Sequence, residues 1–78
     1  MNSVKVNELD RHSASLRLER LPAVKFATGL SRSEIYRQIK AGTFPAPVKL
    51  GVRSSAWVSA EIVYWINQRI ALRRISNV

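Results

Sequence analysis

Three residues, Gly29-Leu30-Ser31, constrain this chain more than any others. Before them, Leu21, Val24, Ala27 and Leu30 recur at threefold spacing, which predicts a helix of about two turns. Pro22 suits the first turn of that helix, where a missing N–H costs nothing. Gly29 can stop it in a left-handed conformation. After the junction, Ser31-Arg32-Ser33-Glu34 reads as a capping box. In that arrangement the Ser31 hydroxyl accepts the Glu34 N–H, and the Glu34 carboxylate reaches back to the Ser31 N–H. Ile35 and Ile39 lie one turn apart and face inward with Leu30, and Gly42 ends the second helix. Two short helices held this close must turn sharply, which is the helix-turn-helix layout.

The flanking segments supply the rest of a domain. Pro45 and Pro47 rule out helix and hold the chain extended. "VKL" and "SAWV" read as two short strands, with "GVRS" as the bend and Gly51 permitting the turn. Upstream, "LRLER" at 16–20 alternates apolar and polar like a short strand. Ser59 is positioned to cap a last helix, and Glu61 sits in its first turn, where a negative charge suits the dipole. Ile62, Trp65, Ile66 and Ile70 give that helix its inward stripe. Arg69 and Arg73 project on the same side, and a core cannot accept unpaired guanidinium groups, so the end of the helix should overhang the domain. Trp57, Trp65, Phe26 and Phe44 are expected in the core, because aromatic side chains dominate burial in a chain this small. The expected fold is α+β: a small winged helix-turn-helix over residues 16–78, three helices with a two- to three-stranded β-wing, preceded by a polar flexible leader at 1–15.

Charge narrows the function. Thirteen Lys and Arg against five Asp and Glu give +8 in 78 residues, a field that favours a polyanionic partner. No apolar run approaches the ~18 residues needed to span a bilayer, and the N-terminus has no signal-peptide pattern, so the cytoplasm is the expected location. Cysteine is absent and His12 is the single histidine, so disulfides, a zinc-cysteine site and a metal centre are not expected. The acids Glu8, Asp10, Glu19, Glu34 and Glu61 are scattered, no Ser lies near a His, and no Gly-rich phosphate loop exists. Neither an enzyme nor a cofactor site is expected.

The second helix turns Arg32, Ser33, Tyr36, Arg37 and Lys40 outward. Taken alone, that face is either ordinary solvated surface or a DNA-contacting one. The hairpin just downstream carries Lys49, Arg53, Ser54 and Ser55 at its tip and no acidic residue, so two basic elements bracket the helix-turn-helix and favour DNA. Tyr36 lies near the helix flank, open between a DNA contact and edge packing. A rival reading is a protein-interaction module whose basic faces meet an acidic partner. RNA is disfavoured, since no exposed aromatic row lies on a sheet.

From Arg20 to about Arg73, the chain resembles the AlpA-type prophage regulatory proteins and the small phage excisionases. "TGLSRSEIYRQIKAGTFPAPVKLG" and "AWVSAEIVYWI" carry the resemblance, and the MerR-like helix-turn-helix is a more distant relative. The resemblance implies a winged-helix fold whose second helix enters the major groove, with Ser31, Arg32, Ser33, Tyr36 and Arg37 on the reading helix. Lys49, Arg53 and Ser54 fall at the wing, which touches the neighbouring backbone or minor groove. It also implies transcriptional control of an integrase gene, assistance of excision, or both, with double-stranded DNA and a phage-type integrase as partners. One such domain reads only a few base pairs, so dimeric or tandem binding is expected.

Overall fold

A short strand from the N-terminal side and a hairpin from the middle of the chain share one sheet. In a computed structural model, residues 16–76 are described, with side chains as far as Arg73; the leader expected at 1–15 lies outside the described residues. The elements run β1 (Leu18–Glu19), α1 (Leu21–Thr28), α2 (Arg32–Ala41), β2 (Val48–Gly51), β3 (Ser54–Val58) and α3 (Ser59–Ser76). The sheet is antiparallel in the order β1-β3-β2. Leu18 pairs with Val58 and Glu19 with Trp57, while Val48 and Lys49 pair with Ala56 and Ser55. Three helices and a three-stranded sheet with a projecting hairpin make a winged helix-turn-helix.

The junction follows its local chemistry. Gly29 stands at φ 77° with its N–H donating to the Lys25 carbonyl at 2.8 Å. Thr28 adds a tie that the sequence did not advertise: its hydroxyl donates to the Val24 carbonyl at 2.8 Å and accepts from the Leu30 N–H at 3.2 Å. Ser31 then caps α2, its Oγ accepting from the Glu34 N–H at 3.1 Å. The reciprocal half of the expected capping box is not formed. The Glu34 carboxylate turns along the helix to Arg37 and Gln38 instead, because a guanidinium and an amide one turn away outbid a single backbone N–H. Gly42, at φ 82°, closes α2 with its N–H on carbonyls of the last turn, and the Thr43 N–H reaches the Gln38 carbonyl at 2.9 Å.

The core gathers Val24, Ile35 and Ile62 from the three helices, Trp57 from the sheet and Phe44 from the connection between α2 and β2, with Leu21, Leu30, Ile39, Trp65 and Ile66 packed around them. Two indoles hold the proline segment. Trp57 Nε1 donates to the Pro45 carbonyl at 3.0 Å, and Trp65 Nε1 to the Thr43 carbonyl at 2.8 Å. Such donors matter here because an extended, proline-containing stretch has few ladder bonds of its own. Trp65 also meets Phe44 edge to face, with ring centroids 4.9 Å apart.

Three further expectations need correction. Phe26 is 91 % exposed and is not core; α1 is only eight residues long, and its single buried side chain is Val24, on another face. Ile70 is exposed as well, because the domain ends beneath the middle of α3. From Asn67 to Arg73 every described residue of that helix is exposed, which is the overhang that Arg69 and Arg73 implied. Gly51 does not make the hairpin turn. It is paired with Ser54 inside the ladder, its φ is not positive, and the turn falls at Val52-Arg53.

Candidate nucleic-acid interface

The outward side of α2 is built on its N-cap. Ser31 and Ser33 lie at the helix start with their hydroxyls 3.4 Å apart, both residues exposed. Arg32 folds along the helix so that its guanidinium carbon lies 5.4 Å from the centroid of the Tyr36 ring. Tyr36 rests edge to face on buried Trp57, with centroids 6.1 Å apart, while remaining partly exposed. The tyrosine therefore packs against the sheet, one of the two alternatives that the sequence left open, while part of its ring stays exposed. Stacked on it, the Arg32 side chain is held close to the surface rather than waving freely.

Arg37 is placed differently. Its Nε donates to Glu34 Oε1 at 2.9 Å, and its Nη2 donates to Glu34 Oε2. Gln38, 8 % exposed, donates from Nε2 to the same Oε2 at 2.8 Å, and Thr43 Oγ1 lies 3.4 Å from the Gln38 side-chain oxygen. Held by Arg37 first and Gln38 second, the Glu34 carboxyl is lowered to a pKa of about 2, and the carboxylate in turn raises that of Arg37. The carboxylate engages the Nε–Nη2 edge of the guanidinium. The adjacent edge, made by the two Nη groups and sharing Nη2, has the paired-donor geometry that a bidentate acceptor such as guanine O6 and N7 would meet. Lys40 is exposed in the last turn of α2.

The wing brings its own cations. Lys49 on β2 stands opposite Ser55 on β3. Arg53 is exposed at the tip beside Val52, which is 90 % exposed. Ser54 and Ser55 are half-buried in β3. Arg32, Tyr36, Arg53 and Ser55 meet around one notch of about 200 Å³ between α2 and the wing. Ser31, Ser33, Arg37, Lys40, Lys49 and Ser54 lie outside it. The notch also receives Arg20, which sequence reasoning passed over. Arg20 is the N-cap residue of α1, and its Nε donates to the Ser55 carbonyl at 3.0 Å across 35 residues of sequence. The one available signal was a cation set immediately before a proline-opened helix.

Helix, turn, helix and wing, with cations on the second helix and on the hairpin, define the class as a winged helix-turn-helix protein. The model of the family described as "Prophage CP4-57 regulatory protein (AlpA)" matches residues 17–70, and the chain belongs to that family. It is 45 % identical over 58 residues to "Uncharacterized protein ORF88" of Enterobacteria phage P4, the match covering 74 % of this chain and 66 % of that protein. It is 40 % identical over 65 residues to "DNA-binding transcriptional activator AlpA" of Escherichia coli (strain K12), covering 76 % of this chain and 93 % of the relative. No solved structure matches the chain. Among the described residues, no helix is long and apolar enough to cross a membrane, and no group of His, Asp or Glu is placed to hold a metal ion.

Proposed function

We propose that this chain is a non-enzymatic, sequence-specific DNA-binding protein that regulates transcription, acting in the cytoplasm on double-stranded DNA. The observation that carries the reading is the convergence of α2 and the wing. Cations from two separate elements meet around one notch, and the exposed N-terminal turn of α2 lies beside it. On this reading α2 enters the major groove N-terminus first, so that Ser31, Arg32, Ser33, Tyr36, Arg37 and Lys40 face the duplex. Lys49, Arg53, Ser54 and Ser55 then meet the neighbouring backbone. Arg37, with one guanidinium edge fixed by Glu34, offers the other to a base.

About four to six phosphate contacts from such a surface give a slope of log affinity against log salt of roughly −4 to −5. Footprinting on DNA flanking the gene is the test. Protection of a defined repeat at low nanomolar protein is the expected result. Equal binding to all DNA that vanishes at physiological salt would instead favour the protein-interaction module. Transcriptional control is preferred over excision because the Escherichia coli relative is described as a transcriptional activator. A reporter assay run beside an excision assay separates the two. Excision without any change in expression would move the function to recombination, with an integrase as partner.

A further inference from the structure

The cations of this molecule are not equivalent. Arg17 is paired with Glu19, and Arg37 with Glu34. The arginines around the notch, Arg20, Arg32 and Arg53, have no carboxylate partner among the described residues. Two of them are nevertheless held in place. Arg20 is fixed through Nε to the Ser55 carbonyl, a bond that leaves both of its Nη groups to donate elsewhere. Arg32 is laid over the Tyr36 ring, which itself rests on Trp57. Leu21 and Pro22, the opening of α1, complete the rim, and no side chain caps that helix.

Three arginines without a carboxylate partner among the described residues line a space of about 200 Å³, and two of them hold their guanidinium groups against lining residues, Arg20 on Ser55 and Arg32 on Tyr36. Like charges repel, so bringing three together is unfavourable unless an anion joins them. The space is small, and its walls offer donors to more than one oxygen of the same group. A phosphate fits both requirements, because guanidinium forks match its paired oxygens.

We propose that the notch between the start of α1, the outward face of α2 and the wing is a clamp for a single phosphodiester of the DNA backbone, with Arg20, Arg32 and Arg53 donating to its oxygens. The proposal rests on the DNA-binding reading above and adds to it a residue, Arg20, and a division of labour. The clamp fixes where the duplex sits, and Arg37 reads what lies beyond it. Arg32 thereby becomes a positioning residue rather than a base reader.

The test is salt-dependent binding of the full chain to a cognate duplex and to a scrambled duplex of the same length. Arg20→Gln, Arg32→Gln and the double variant are compared with the parent, and thermal melts establish that each is folded. Each single variant weakens both duplexes alike, by roughly tenfold, since the lost donor meets backbone and not base. The double variant flattens the salt slope by at most about one unit in total, because both arginines meet the same phosphate and Arg53 still faces it. Arg20→Lys keeps the charge but loses the fork; it retains the parent slope with reduced affinity. A loss of two units in the double variant would mean two separate phosphates and overturn the clamp. So would an Arg20→Gln protein that is folded and binds like the parent, although DNA binding itself would then survive. A parent slope near zero would remove the DNA reading and the clamp together.

Discussion

Because the Glu34 carboxylate accepts from both Arg37 and Gln38, it stays ionised far below the ordinary glutamate range, to about pH 2. A carboxyl lowered on folding contributes stability above its unfolded pKa and loses it as the pH falls through the folded value. This ion pair should therefore weaken only between about pH 4.5 and 2. An NMR titration of the Glu34 side-chain carboxyl checks it: the midpoint should lie near 2 in the parent and rise towards the usual range in Arg37→Ala. A parent midpoint above 4 would mean that the pair is open in solution. The same scale separates true core from apparent core. Ile35 is fully buried, and Ile35→Ala should cost about 2–5 kcal/mol in chemical denaturation. Phe26 reaches into solvent, so Phe26→Ala should change stability by less than about 0.5 kcal/mol. Equal losses at both positions would place Phe26 back in the core.

At the scale of elements, the stop signals are glycines in the left-handed conformation. Gly42 ends α2 at φ 82°, and a Cβ added there would meet nothing within 4 Å. Gly42→Ala should then cost about 1–2 kcal/mol from backbone strain alone, with Gly42→Asn costing less, since asparagine tolerates the left-handed region. Equal melting of the alanine and glycine proteins would show that α2 ends differently in solution. The two elements proposed to face DNA also separate. Arg37→Ala should lower discrimination between cognate and scrambled duplex by about 1–3 kcal/mol, the usual worth of a bidentate base contact. Arg53→Ala at the wing should weaken both duplexes evenly. The reverse pattern would make the wing the reader.

Over the whole molecule, what was legible in the sequence is what is decided locally. Gly29, Ser31 and Gly42 act on backbone within a few residues, so their spacing revealed the helix-turn-helix directly. The proline segment and the two short apolar runs after it similarly marked the hairpin, and Arg69 with Arg73 revealed the overhang. Positions decided by distant packing were not legible. Threefold spacing places Phe26 on a helix but cannot say which face that helix buries. Neither could it show Glu34 choosing between Ser31 and Arg37, two partners at equal sequence distance. Arg20 meets Ser55 only after the sheet has closed, 35 residues later, so the notch had no signature in any single stretch.

The closing of that sheet hangs on very little. β1 is two residues long, and beyond its ladder it is tied by the Ser59 N–H donating to the Arg17 carbonyl at 2.7 Å. Local opening of so short a strand costs less than global unfolding. The Ser59 amide should therefore exchange with solvent deuterium faster than the amide of Ile35, which donates to the Ser31 carbonyl above a fully buried side chain. β1 leads directly into Arg20, so a duplex held by Arg20 would also hold the strand down. Deuterium uptake at Ser59 should slow when DNA is added, although Ser59 is not among the residues proposed to face the duplex. Uptake unchanged by bound DNA would show that strand and ligand are energetically independent.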